Sequence, residues 1–74
     1  MGTPRTLHGA MRRGWLPVEV PMDRKIEKNV SHVGLCIWAD RNSRGKFLSD
    51  LNRNTSAFVF EYGCDASWFI LRWS

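Results

Sequence analysis

The sequence predicts a small α+β fold: a four-stranded, mostly antiparallel sheet with one short helix, in the order β-β-α-β-β, preceded by a flexible basic N-terminal arm. Three patterns predict it. Two apolar runs rich in aromatic and β-branched residues flank a turn-like stretch near the C-terminus, a continuous apolar run lies in the middle, and a proline-bounded alternating run precedes both. At 74 residues, the chain is long enough for one domain only.

Residues 1–14 are predicted to form the flexible basic arm, and residues 15–74 a single small α+β domain. The arm contains Arg5, Arg12 and Arg13 and no acidic residue. Its glycines and proline argue against a stable helix. A disordered terminus is the main prediction, and the alternatives are an arm that contacts phosphate or an acidic partner, or a transit peptide.

The first strand is predicted at residues 15–20, where Leu16, Val18 and Val20 share one face. Pro17 lies on the other face and cannot donate a ladder hydrogen bond, so this strand should lie at a sheet edge. Residues 22–29 are charged and are predicted to be a loop or a single helical turn.

The second strand is predicted at residues 30–39, since a nearly continuous apolar run of this length is typical of a central strand. A polar breaker follows at residues 40–45. Residues 46–53 are predicted to form the short helix because Phe47, Leu48 and Leu51 have helical spacing. The alternative is a third strand at residues 46–51 in an all-β meander.

The last 19 residues, 56–74, predict a β-hairpin whose turn is residues 63–66. Both faces of that hairpin are apolar and need a cover. The sequence therefore indicates either a barrel-like curl of the sheet or a homodimer. The predicted core is Leu16, Val18, Val20, Val33, Leu35, Ile37, Phe47, Leu48, Leu51, Phe58, Phe60, Phe69, Leu71 and Trp73.

Metal binding and nucleophilic catalysis are not predicted. His32 and Cys36 are four residues apart, which on a helix would place them on one face but on a strand separates their Cα atoms by about 13 Å. Cys36 in an apolar strand is expected to be inert. Cys64, at the predicted turn, is expected to be exposed, but it lies beside Asp65, which disfavours a thiolate. No catalytic residue, metal site or cofactor is predicted, and the chain is not expected to be an enzyme.

The predicted function is nucleic-acid binding, in a regulatory role, through a basic and aromatic surface. The net charge is +4 and the isoelectric point about 9.7, which favours acidic partners such as single-stranded nucleic acid or an acidic protein. Cations beside aromatic rings are typical of single-strand and RNA binders. The predicted nucleic-acid-binding residues are Arg12, Arg13, Arg41, Arg44, Lys46 and Arg53.

The alternative function is a small protein-interaction or inhibitor module. It would dock through exposed aromatic residues or the edge of the C-terminal hairpin, with Trp38, Trp68 and Trp73 as the contact residues. No apolar run is long enough to span a bilayer or to serve as a secretory signal. An intracellular, cytoplasmic location with reduced cysteines is therefore expected.

Overall fold

The computed structural model describes residues 6–73. These residues form four α-helices and one three-stranded antiparallel sheet. In chain order the elements are α1 (Leu7–Arg12), β1 (Leu16–Val20), α2 (Met22–Glu27), α3 (His32–Asn42), β2 (Phe47–Asn52), β3 (Thr55–Phe60) and α4 (Gly63–Trp73). The α+β class is confirmed. The predicted four-stranded sheet with one short helix, in the order β-β-α-β-β, is wrong.

The sheet has the order β1-β3-β2, so the last strand in sequence lies at the centre. β1 pairs with β3 antiparallel, with Leu16 opposite Phe60 and Val20 opposite Ser56. The prediction of an edge strand at residues 15–20 is confirmed, and the proline at position 17 is tolerated there because an edge strand leaves some of its N–H positions unpaired.

β2 and β3 form the hairpin of this fold, with a two-residue loop of Arg53 and Asn54 between the paired residues Asn52 and Thr55. Both loop residues have positive φ, residue 53 at +50° and residue 54 at +68°, as a type I′ turn requires. The predicted helix at residues 46–53 is therefore wrong, and the alternative strand at 46–51 is close to β2. The turn lacks the glycine that usually marks it in a sequence.

The predicted strand at residues 30–39 is helical. Ser31 caps α3, accepting a hydrogen bond from the Gly34 N–H at 3.1 Å, and Leu35 and Ala39, four residues apart, are fully buried. An apolar run without clear periodicity fits a buried helix as well as a strand, and here the N-terminal cap favours the helix.

The predicted C-terminal hairpin is also wrong, because only its first half is a strand. Residues 63–66, the predicted turn, are the first turn of α4. The buried residues Ala66, Phe69 and Trp73 have helical spacing, and they pack on β3 and β1. The homodimer was predicted to cover the second apolar face of this hairpin. Because the hairpin does not form, that argument for a homodimer no longer applies.

The sheet is covered on both faces. Phe58 and Phe60 point to one face, where they pack with Leu35 of α3 and with α4. Val59 points to the other face and is 1% exposed, beside α1. The short helix α1 lies within the predicted flexible arm, of which residues 1–5 are outside the described part of the chain.

Six of the predicted core residues are buried: Val20, Leu35, Phe58, Phe60, Phe69 and Trp73. Val18 and Phe47 pack against this core while partly exposed. Five others are exposed, namely Leu16, Val33, Ile37, Leu51 and Leu71. Val33, Ile37 and Leu71 were assigned by a strand period to segments that are helical, and Leu51 was assigned by helical spacing to a segment that is a strand. Within residues 6–73, no helix has both the length and the apolar character needed to cross a membrane.

Candidate nucleic-acid interface

A groove of about 410 Å³ lies between the C-terminal end of α3 and the N-terminal half of α4, and we call it the α3–α4 groove. It brings together two of the predicted aromatic residues and one of the predicted cations, which come from three separate parts of the sequence. Its lining residues are Trp38, Asn42, Arg44, Cys64, Asp65 and Trp68.

Asp65 holds the loop that carries Arg44. Its carboxylate accepts hydrogen bonds from the Arg44 N–H at 3.0 and 3.1 Å and from the Gly45 N–H at 2.9 Å. The Asp65 side chain is 3% exposed, so its charge is stabilised by these backbone donors. The backbone of Arg44 is thereby fixed, while residue 44 remains exposed at the rim of the groove.

The two tryptophans of the groove differ in exposure. Trp68 is 63% exposed on α4 and presents its ring to solvent. Trp38 is half-buried and packs edge-on against Phe69 and Trp73, with ring centroids 5.9 and 6.0 Å apart. Trp73, the third tryptophan of the alternative hypothesis, is only 6% exposed and belongs to the core.

Two other predicted cations lie near the groove. Arg41 is exposed one turn after Trp38 on α3. Lys46 follows the Arg44 loop, and its backbone N–H donates to the Glu61 carboxylate at 3.1 Å. Both are therefore placed on the same end of the molecule as Arg44.

The remaining predicted cations do not join the groove. Arg53 lies in the β2–β3 turn, at the other end of β2, about 20 Å along the strand from Lys46. Arg12 and Arg13 end α1, which packs on the opposite face of the sheet from α3 and α4. Of the six residues, Arg44 lines the groove, Arg41 and Lys46 lie within three residues of Arg44 along the chain, and the other three lie at two separate places.

Arg72 is a cation of this surface that the sequence patterns did not indicate. Its guanidinium carbon lies 4.1 Å from the centroid of the Trp73 ring, a cation–π contact. It follows Trp68 by four residues, so the two side chains share one face of α4. The available signal was the Trp68-x3-Arg72 spacing, which makes the two side chains neighbours on a helix but separates their Cα atoms by about 13 Å on the predicted strand.

A second polar cluster joins α2, α3 and the sheet. The Ser56 hydroxyl lies 3.0 Å from Lys25 Nζ and 2.8 Å from His32 Nδ1. His32 Nε2 lies 3.7 Å from Cys36 Sγ, which is also 3.4 Å from the Ser49 hydroxyl. Because this segment is a helix rather than a strand, the four-residue spacing of His32 and Cys36 places them on one face.

Among residues 6–73, no three His, Cys, Asp or Glu side chains lie close enough together to hold a metal ion. Both cysteines are free thiols, Cys36 half-buried and Cys64 exposed. Known proteins offer no guide to either cluster: no family model matches the chain, and neither the curated proteins nor the solved structures contain one with significant similarity to it.

Proposed function

We propose that the chain is a small module that binds single-stranded nucleic acid through the α3–α4 groove. The observation that supports this most is the convergence of Arg44, Trp38 and Trp68, from a loop and two helices, on one open groove. The sequence patterns favour nucleic-acid binding for the arginine and protein binding for the tryptophans, but these side chains share one surface.

Each part of the groove has a distinct role in this proposal. Trp68 is the stacking platform, because a ring that is 63% exposed offers a face to any base. Arg44 and Arg41 contact phosphates on either side, and Arg72 extends the basic surface along α4. Such binding is electrostatic and tolerant of sequence.

The test measures the affinity for a fluorescein-labelled, mixed-sequence single-stranded oligonucleotide by anisotropy, over a range of salt concentrations. We expect Trp68→Ala to raise Kd by about 5- to 150-fold, which corresponds to the loss of about 1–3 kcal/mol of base stacking. The double variant Arg41→Ala/Arg44→Ala should reduce the slope of log K against log salt by about 0.7 for each phosphate that the two guanidinium groups no longer neutralise. The Arg44 backbone donors to Asp65 remain in that variant.

Two matched controls come from the same chain. Leu71→Ala removes a side chain that is 75% exposed on α4 but does not line the groove. Arg53→Asn removes one positive charge at the far end of β2 and keeps a residue that tolerates positive φ. Both should bind like the unmodified chain. If Arg53→Asn lost as much affinity as the groove variants, the effect would be explained by net charge alone, and the proposed site would be contradicted.

The protein-interaction alternative has support of its own in the exposed apolar side of α4. Trp68, Ile70 and Leu71 are 63%, 44% and 75% exposed, which is a large apolar surface for one short helix. An acidic protein partner would contact the same end of the molecule. Binding that is insensitive to salt and abolished in both Trp68→Ala and Leu71→Ala would favour this alternative over nucleic acid.

A further inference from the structure

The cluster of Lys25, Ser56, His32 and Cys36 has the arrangement of a supported thiol–imidazole pair. A nucleophile next to a base, with the base oriented by a third group, is the diagnostic geometry of an activated nucleophile. Here the thiol of Cys36 faces His32 Nε2 at 3.7 Å, and His32 Nδ1 meets the Ser56 hydroxyl at 2.8 Å.

The supporting groups are buried and the reacting groups are accessible. Ser56 is fully buried and Lys25 is 8% exposed, and the Lys25 ammonium, which can only donate, fills one acceptor position of the Ser56 hydroxyl at 3.0 Å. The His32 ring also packs on Phe58, with centroids 5.7 Å apart. Cys36, by contrast, is half-buried and lies under an exposed Ser49 at the edge strand β2.

An open, partly apolar groove of about 640 Å³ adjoins His32, and we call it the α2–α3 groove. Met22, Ile26 and Leu51 of its lining are 47%, 68% and 51% exposed. Leu51 and Ser49 lie on the same face of β2, two residues or about 7 Å apart along the strand, and the Ser49 hydroxyl lies 3.4 Å from the Cys36 thiol. The apolar lining of the groove suits the hydrocarbon part of a small acyl group.

We propose that Cys36 is a nucleophilic thiol with His32 as its general base, and that it accepts an acyl group from a thioester. In the tautomer of this proposal, His32 Nδ1–H donates to the Ser56 hydroxyl, and the unprotonated Nε2 takes the thiol proton as Cys36 Sγ attacks the carbonyl carbon. The new C–S bond forms, the original C–S bond breaks, and the departing thiolate receives the proton from His32. One thioester and one thiol are thus exchanged for another thioester and another thiol.

The first test uses Cys64 as an internal control. The full chain is treated with less than one equivalent of iodoacetamide, and peptide mass spectrometry compares the labelling rates of the two cysteines. Cys64 is the more exposed, but its thiol contacts the Asp65 carboxylate at 3.8 Å rather than an imidazole. We expect Cys36 to react faster despite its lower exposure. Faster labelling of Cys64 would overturn the proposal.

The matched variant His32→Gln shows whether Cys36 reacts quickly because His32 activates its thiol or only because the reagent can reach it. We expect it to slow the labelling of Cys36 by about 100-fold, the lower end of what a positioned base contributes, while the rate at Cys64 stays unchanged. A ¹H–¹⁵N spectrum of the variant checks that it is folded. If the variant unfolds, His32→Asn, which keeps a polar group near Ser56, replaces it. An unchanged Cys36 rate in a folded variant would also overturn the proposal.

The acyl step has its own measurement. The chain is incubated with a short-chain acyl thioester, and the mass increase is mapped before and after treatment with neutral hydroxylamine, which cleaves thioesters. We expect one hydroxylamine-sensitive acyl group on Cys36 and none in Cys36→Ser. Fast alkylation of Cys36 by iodoacetamide without any S-acylation would refute the thioester as the substrate class.

Discussion

Asp65→Ala is the substitution whose effect on stability follows most directly from the geometry. The carboxylate is 3% exposed and accepts from the backbone N–H groups of Arg44 and Gly45 at 2.9–3.1 Å. It joins the first turn of α4 to the loop between α3 and β2. Alanine removes both acceptor oxygens and leaves the two N–H donors without a partner.

The expected loss is about 2 kcal/mol of unfolding free energy. A buried donor left without an acceptor costs about 1–3 kcal/mol. The lower end applies to each of the two N–H groups here, because residue 44 is exposed and residue 45 half-buried, so water replaces part of the interaction. Asp65→Asn keeps one side-chain oxygen and should lose only about 1 kcal/mol. A core of this size supplies only about 3–5 kcal/mol in total.

Urea unfolding followed by far-UV circular dichroism measures these differences, and thermal unfolding should show a fall in Tm of about 8–16 °C for the alanine variant. The free energy of unfolding is expected to be highest for the unmodified chain, lower for Asp65→Asn and lowest for Asp65→Ala. A change below about 0.5 kcal/mol in both variants would refute the reasoning, since that is the range of ordinary surface substitutions. Asp50→Ala, at an exposed position of β2, is the control with the same change of charge.

Two further expectations concern the hairpin and the core. Asn54→Ala should lower the unfolding free energy by about 1 kcal/mol, because residue 54 has φ +68°, whereas Asn54→Gly should be neutral or stabilising; paired urea curves distinguish them. Phe69→Ala should cost about 3–5 kcal/mol, since the ring is fully buried, and leave the chain largely unfolded by circular dichroism, whereas Leu71→Ala on the same helix should change little. A folded, cooperative Phe69→Ala variant would contradict the packing described for α4.

The sequence predicted β1 well because two independent signals agreed there. Leu16, Val18 and Val20 alternate, and a proline on the opposite face limits the segment to an edge. The first half of the C-terminal prediction was also close, since Phe58 and Phe60 alternate on β3. Alternation is informative when one face of a strand meets a core and the other does not.

The C-terminal helix could not be predicted from the same patterns, because its residue propensities favour a strand while the spacing of its buried residues indicates a helix. The aromatic and β-branched residues of α4 favour a strand, and only the spacing of Ala66, Phe69 and Trp73 indicates a helix. Tertiary packing against β1 and β3 decides between them. Of the basic residues, those at positions 41, 44 and 46 are close in sequence and stay close in space, whereas Arg53 is separated from them by a strand that the sequence patterns favoured as a helix.

The placement of α1 determines the shortest fragment of this chain that keeps both faces of the sheet covered. Ala10 is fully buried and Val59 is 1% exposed, so the helix and the central strand shield one another. A fragment that began at residue 15 would leave that apolar face of the sheet uncovered, beside two edge strands that can pair with other chains. Removal of α1, which lies in the segment predicted to be a flexible arm, is therefore expected to expose this face of the sheet and to favour self-association.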